Sequence, residues 1–204
     1  ISLTQHQDEP MPKDDGYDIA VLTSAALPWR TGPSVFSIWH ACGLAALGLR
    51  VIYVFPWLKP RSQIRLWGEA RFATPQDQIS WLQNEALRLG CPPLTDCIPY
   101  RSVFSRSLGS IIPLEDVFAA KPPARCVLAN EPEHLSWYPL TQKRSRIGAQ
   151  VTVGLSMTNY DFYIRSSGLP FAAQMAELAN KVHGRAIRRR IDYPVKLAPE
   201  LELP

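Results

Sequence analysis

The chain has 204 residues, the size of one domain, and it is long enough to bury a substantial core without disulfides or metals. Hydrophobic residues make up 46% and charged residues 20% of the sequence, a composition that excludes wholesale disorder and a coiled coil. The net charge of +4 does not indicate a nucleic-acid partner. No run reaches the roughly 18 apolar residues that span a bilayer, so we expect no transmembrane segment.

The four cysteines are not spaced as metal ligands, and they are Cys42, Cys91, Cys97 and Cys126. We therefore expect buried, reduced thiols, no metal site and no other cofactor. The chain begins with isoleucine. Either a leader has been removed or the sequence starts inside a longer one.

The first elements predict a parallel sheet. Residues 1–16 are polar and form an expected flexible arm. The short apolar runs 19–22 and 51–55 are typical of strands buried on both faces, and Pro56 is expected to end the second. Between them, apolar residues recur at helical spacing from Ser34 to Leu49. A strand, a helix and a strand in this order form a right-handed crossover between parallel strands.

The same alternation continues to residue 197. Thr74 and Pro75 predict the start of a helix that ends near Gly90. The remaining strand candidates are 96–100, 126–129, 151–155 and an edge strand at 194–197. We therefore predict an α/β domain over 17–197, a Rossmann-like parallel sheet flanked by helices, followed by a tail at 198–204. Strands 19–22, 51–55 and 151–155 are expected to be central neighbours.

A last long helix is predicted from Pro170 to about Arg189. Its apolar side is expected to carry Phe171, Met175, Leu178, Val182 and Ile187.

In a parallel sheet, ligands bind beyond the carboxyl ends of the strands, so the loops after the strands are the candidate site. The first such loop contains Trp29, Thr31 and Gly32. A helix begins here, and its free backbone N–H groups are able to accept a phosphate. A structural loop with a helix cap is the alternative.

A second loop contains Glu131, Glu133 and His134. Two carboxylates beside an imidazole are suited to acid–base chemistry. Alternatively, the fold requires a turn here, with Pro132 rigidifying it and the glutamates satisfying backbone N–H groups.

A third loop contains Thr158, Asn159 and Tyr160. After a buried strand, these polar side chains either face a cleft or cap the next helix.

Together these segments carry a family resemblance. The blocks are DIA at 18–20, LPW-x-TG at 27–32, PWL at 56–58, SIIP at 110–113, EPEHL-x-W at 131–137 and TNY-x-x-YI at 158–164. In this order they resemble the N-terminal half of digalactosyldiacylglycerol synthases, plastid galactolipid galactosyltransferases of the two-domain GT-B type. The resemblance covers about residues 17–197.

The resemblance implies a Rossmann-like, acceptor-side domain. The implied acceptor or lipid-side residues are Trp29, Thr31, Gly32, Glu131, Glu133, His134, Thr158, Asn159 and Tyr160. The family has a histidine, implied to face the donor sugar, where this chain has Met157. A thioether has no proton to donate.

The resemblance also implies a donor-binding half, which in the family follows directly, whereas this sequence ends at Pro204. We therefore expect this chain to lack that half and to be inactive, as a non-catalytic accessory or scaffold subunit docked on an organellar membrane complex. The alternative is the acceptor-binding half of an active, UDP-galactose-dependent synthase. No catalytic residue is assigned.

The expected partners are a larger protein complex and a membrane lipid, which for this family includes a galactolipid, at the plastid surface or alternatively at a mitochondrion. The basic run with Arg185, Arg188, Arg189 and Arg190 is the candidate docking patch, or a solvated helix end that complements the helix dipole. Loop aromatics are expected to contact lipid or protein, or to pack in the core, and they are Trp29, Trp57, Trp137 and Tyr138.

Overall fold

A computed structural model describes residues 16–197, except 93, 95, 107, 120–123, 137–150 and 169. The predicted arm up to residue 15, the tail 198–204 and the aromatic residues Trp137 and Tyr138 lie outside the described residues.

The described strands form one sheet in the order β4-β3-β2-β1-β5-β6-β7. They are β1 (Tyr17–Thr23), β2 (Val51–Leu58), β3 (Asp96–Ser105), β4 (Ser110–Pro113), β5 (Ala124–Asn130), β6 (Val151–Ser156) and β7 (Tyr193–Lys196). Six of the seven are parallel to one another, and β4 pairs antiparallel with β3. The predicted fold class, a Rossmann-like α/β domain, is confirmed.

Helices cover both faces of the sheet. They are α1 (Gly32–Ala46), α2 (Pro60–Trp67), α3 (Pro75–Arg88), α4 (Pro132–Leu135), α5 (Tyr160–Arg165) and α6 (Ala172–Arg190). On one face, Ile38 of α1 and Leu82 of α3 pack against Val21. On the other, Leu135 of α4 and Ile187 of α6 pack in the cluster that contains Leu22. Side chains that alternate along β1 therefore enter two different cores.

The strand order corrects one expectation. Strands β1, β2 and β6 belong to one sheet, but β5 lies between β1 and β6. β2 pairs with one edge of β1. After β4 the chain crosses back, and β5 pairs with the other edge of β1. The order therefore reverses between β1 and β5, which is the topological switch point where parallel sheets bind ligands.

Strand β2 does not end at Pro56, contrary to the prediction. It pairs with β1 only as far as Val54, but with β3 as far as Leu58. Beyond Val54 one edge of β2 has no paired strand within the described part of the chain, and a proline, which has no N–H to donate, is tolerated at such an edge. The extension places Trp57 inside the strand, where it is buried.

Helix α6 begins at Ala172, two residues later than predicted. Its predicted apolar side is buried only in part: Phe171, Met175 and Leu178 are exposed, Val182 is half-buried, and Ile187 is buried. The face that packs on the protein carries Ile187 together with Ala176 and His183. The helical spacing identified the helix, but it did not identify the buried face.

Candidate functional site at the carboxyl edge of the sheet

The exits of β1, β5 and β6 meet at Glu131. Its carboxylate accepts hydrogen bonds from the hydroxyl of Ser24, after β1, and from that of Thr158, after β6. The backbone N–H of Glu131 donates to the carbonyl oxygen of Leu155 at 2.9 Å. Glu131 has a φ of 59°, a left-handed conformation that is unfavourable for a residue with a Cβ. These contacts hold it there.

A second chain of hydrogen bonds lies beneath this edge and is entirely buried. The amide Nδ2 of Asn130 donates to Ser37 Oγ at 2.9 Å, and Ser37 Oγ lies 2.8 Å from Thr23 Oγ1. The hydroxyl of Tyr100 donates to the carbonyl oxygen of Thr23 at 2.8 Å. Polar groups from β1, β3, β5 and α1 thus bond to one another at the switch point, although Asn130 Oδ1 has no hydrogen-bond partner among the described residues.

Both ring nitrogens of His134 are bonded within the protein. Nε2 lies 2.8 Å from the carbonyl oxygen of Ile111, which only accepts, so Nε2 carries the proton. Nδ1, 2.9 Å from the hydroxyl of Tyr160, accepts its hydrogen bond. Burial lowers the pKa of His134, an effect that the negative charge of Glu131 opposes. His134 is therefore a neutral imidazole that links α4 to β4 and α5.

Glu133 is a buried acid. Burial, reinforced by the nearby negative charge of Glu131, raises the pKa of Glu133 to about 8. Ser156 Oγ donates to its carboxyl oxygen Oε2 at 3.3 Å. The side chain is accordingly protonated at neutral pH.

A small polar cleft opens beside this cluster. It is lined by Glu133 and Ser156, by residues 158–161, and by Asn180 and His183 of α6. Asn180 Nδ2 donates to Asp161 Oδ1 at 3.0 Å, and the rings of Tyr160 and His183 meet edge to face at 5.4 Å between centroids. Burial, together with the neighbouring His134, lowers the pKa of His183 to about 4.

The structure thus brings together Glu131, Glu133, His134, Thr158 and Tyr160, which the sequence had placed in two separate loops. Asn159 borders the same cleft, and its side chain also caps α5 by accepting from the N–H of Phe162 at 2.9 Å.

The residues of the first loop have structural partners nearby. Thr31 caps α1: its hydroxyl accepts from the N–H of Ser34 at 3.3 Å, and Ser34 Oγ accepts from the N–H of Thr31 at 3.0 Å. The half-buried Trp29 ring packs edge to face on Phe104 of β3, at 6.2 Å. Gly32 begins the helix and is exposed. This loop holds α1 against the sheet.

Met157 directly follows β6 and is half-buried. It lies between Ser156 and Thr158, the hydroxyl donors to Glu133 and Glu131. Met157, where the family resemblance implies a histidine, is not one of the residues that line the cleft, although both of its chain neighbours are.

The structure divides the candidate docking patch. Arg190 forms a two-pronged ion pair with Asp116, with N–O distances of 2.6 and 3.0 Å, and its guanidinium lies 5.1 Å from the ring centre of Phe118. Arg185, Arg188 and Arg189 are exposed. Three of the four arginines are therefore exposed on the surface of α6, whereas Arg190 fastens the end of α6 to the domain.

The sequence had not singled out four members of the cluster, which are Ser24, Ser156, Asn180 and His183. Asn180 and His183 lie three residues apart on one helix face, a spacing that is visible in the sequence. Ser24 follows β1 and Ser156 is the last residue of β6, but neither carries a further signal in a single sequence.

Among the described residues, no group of three or more His, Cys, Asp or Glu side chains is arranged to hold a metal ion. A separate search of the same residues finds no helix with the length and apolar character needed to cross a bilayer.

Comparison with known proteins finds homologues of one kind. Digalactosyldiacylglycerol synthase 2, chloroplastic, from Glycine max is 33% identical over 155 residues, which cover 72% of this chain and 33% of that protein. Digalactosyldiacylglycerol synthase 1, chloroplastic, from Arabidopsis thaliana is 30% identical over 198 residues, 93% of this chain and 24% of that protein. The chain thus spans a third or less of these relatives. No family model matches it.

Proposed function

This chain is a homologue of the N-terminal region of digalactosyldiacylglycerol synthases, and on that premise we propose that it is a non-catalytic accessory domain. In this proposal the glycosyltransferase fold is kept as a scaffold. The domain docks on a protein complex at a plastid membrane surface, in contact with lipid. The chloroplastic names of the relatives support that location.

The observation that carries the proposal is the bonding of the acid–base groups. Glu131 accepts from two hydroxyls, and His134 uses both ring nitrogens within the protein. Both side chains are 4% exposed. A general acid or base must reach the proton that it transfers, whereas these groups connect strand exits and helices. Their arrangement is that of a structural clamp.

Met157 supports the same proposal. The histidine that the family resemblance places here would be able to bond a sugar hydroxyl, whereas the methionine sulfur is only a weak acceptor. A methionine between two residues that line the cleft, where the resemblance implies a histidine, fits a domain that does not position a donor sugar.

The three exposed arginines supply the docking part of the proposal. Arg185, Arg188 and Arg189 lie in the last half of α6, and arginine is enriched at protein interfaces. Reversing the charge of Arg188 should weaken docking, with a larger effect at low ionic strength, where screening is least.

The polar cleft favours the alternative, the acceptor-binding half of a working synthase. Its lining offers a protonated carboxyl at Glu133, the Ser156 hydroxyl and an amide at Asn180. Such groups suit the hydroxyls of a sugar headgroup. Under this alternative, the cleft would hold a galactolipid.

A transfer assay separates the two. The 204-residue chain and its Met157→His variant are incubated with UDP-galactose and monogalactosyldiacylglycerol, with an active digalactosyldiacylglycerol synthase as positive control. We expect no digalactosyl product above a heat-killed control from either protein, because restoring one histidine leaves Glu131 and His134 bonded. Product formed by the unmodified chain would overturn the proposal and establish the alternative.

A further inference from the structure

The helical hairpin formed by α5 and α6 carries an unusual concentration of exposed apolar side chains. Phe162 and Tyr163 of α5 are 61% and 64% exposed, and Phe171 at the start of α6 is 74% exposed. Met175 and Leu178, further along α6, are also exposed. We call these five residues the hairpin patch. Isolated exposed apolar residues are ordinary, but a group of this kind marks an interaction surface.

The spacing along α6 shows that the patch continues into a basic stripe. Phe171, Met175, Leu178, Val182, Arg185 and Arg189 follow one another at steps of four and three residues. Such steps keep to one side of a helix. The opposite side carries the buried residues Ala176, His183 and Ile187. Val182 in this stripe is half-buried and the other five residues are exposed. The stripe is therefore apolar in its first half and cationic in its second.

The positive charge of α6 indicates which kind of partner binds this surface. Glu177 is the single acidic residue in its sequence, against five lysines and arginines. An interfacial helix places aromatic and aliphatic side chains at the boundary of the acyl chains and basic side chains among anionic headgroups. A basic stripe next to an apolar patch matches such a boundary.

The hairpin is held firmly enough to present this surface. Asp161 of α5 accepts from Asn180 of α6 at 3.0 Å and pairs with Arg165 at 2.6 Å. Tyr160 packs on His183. The partners that join the two helices lie on the inner side, so the hairpin patch stays exposed without loss of packing.

We propose that the hairpin patch and the basic stripe of α6 bind the surface of an anionic lipid bilayer. The patch enters the interface and Arg185 and Arg189 contact lipid phosphates. This deepens the docking part of the proposed function, because it assigns the lipid contact to particular residues, but it does not depend on the domain being inactive.

Vesicle flotation tests the proposal with the 204-residue chain. The vesicles consist of phosphatidylcholine, with or without phosphatidylglycerol. We expect the chain to float with the anionic vesicles. The double variant Phe171→Ser, Leu178→Ser and the double variant Arg185→Glu, Arg189→Glu should each lower the partition coefficient by roughly tenfold or more.

Matched controls exclude general effects of hydrophobicity and charge. Leu47→Ser with Leu87→Ser removes two exposed leucines, one at the C-cap of α1 and one within α3. Arg61→Glu with Arg65→Glu makes the same charge change at the same spacing on α2, whose residues are exposed there. Both controls should float like the unmodified chain. All variants change exposed side chains, so their thermal unfolding should match that of the parent.

Three results would overturn the proposal. They are absence of flotation with anionic vesicles, equal flotation of the patch variants and their controls, and capture of the hairpin patch by a protein partner while vesicles leave it unbound. None of these results bears on the transfer assay, which tests catalytic inactivity separately.

Discussion

The hydroxyl of Ser24 donates a hydrogen bond to the carboxylate of Glu131 across the crevice between the exits of β1 and β5. In parallel sheets this crevice is the usual place for a ligand. Here the bond joins two strand exits that are 107 residues apart in sequence. Glu131 therefore connects the two strand exits, and its substitution should change the free energy of unfolding.

The first prediction concerns the hydrogen bonds that the Glu131 carboxylate accepts from Ser24 and Thr158. Glu131→Ala should lower the free energy of unfolding by about 2 to 4 kcal/mol, since it removes charge-assisted hydrogen bonds and leaves buried hydroxyls without a partner. Ser24→Ala should cost about 1 to 2 kcal/mol. Urea unfolding of both single variants and the double variant gives their coupling energy. We expect a coupling of at least about 0.5 kcal/mol; simple additivity would show that the bond contributes nothing.

The second prediction concerns Glu133 and pH. Its pKa in the folded protein is about 8, far above the value of about 4.3 expected in an unfolded chain. Between these values the folded state binds the additional proton, so the contribution of Glu133 to stability is lost as the pH rises. Glutamine does not ionise, so the Glu133→Gln variant does not lose this stability as the pH rises.

As the pH rises from about 5 to about 8, the stability of Glu133→Gln relative to the parent should therefore increase by about 2 to 4 kcal/mol, at about 1.4 kcal/mol per pKa unit. Urea unfolding at both pH values measures the difference, with the exposed Glu177→Gln as control. A pH-independent difference between the parent and Glu133→Gln would contradict the assignment of a buried, protonated acid.

The third prediction concerns close packing behind the cleft. A Cβ on Gly154 of β6 would lie 2.8 Å from Cγ of Pro132 and 3.0 Å from Cγ2 of Ile191. Gly154→Ala should therefore destabilise the domain by about 1 to 3 kcal/mol, because α4 or the end of α6 must move away from the sheet.

Gly43→Ala is the matched control for Gly154→Ala. Gly43 lies within α1, and apart from its chain neighbours and the backbone of that helix, no described atom lies within 4 Å of a Cβ built on it. This variant should stabilise the domain by about 0.5 to 1 kcal/mol through helix propensity. Thermal unfolding should rank Gly43→Ala above the parent and Gly154→Ala below it. The reverse order would argue against the packing of α4 on β6.

The fourth prediction separates Arg190 from its neighbours. The side chains of Arg190 and Asp116 are only 12% and 10% exposed, so Arg190→Ala leaves a nearly buried carboxylate unpaired and should cost about 2 to 4 kcal/mol. Arg188→Ala, at an exposed position, should cost less than about 0.5 kcal/mol. Equal thermal stability of the two variants would exclude a structural role for Arg190.

The sequence alone predicted part of the local structure, although it did not predict α2 or β4 and placed the end of β2 too early, at Pro56. The apolar run at 19–22 identified β1, and the capping pattern at Thr74 identified the start of α3, where the Thr74 hydroxyl does accept from the N–H of Asp77 at 3.3 Å. The alternation of strands and helices along the chain then predicted a parallel sheet, since right-handed crossovers leave few other arrangements. These features depend on residues close together in the chain, and the sequence displays them directly.

Only the tertiary structure decided what distant residues do to one another. It placed β5 between β1 and β6, joined Ser24 to Glu131, and assigned Arg190 to Asp116 rather than to a partner surface. It also turned Phe171 and Leu178 outward on a helix whose spacing suggested a buried stripe. Helical periodicity fixes which residues share a face, but burial depends on the element packed against that face, which lies elsewhere in the chain.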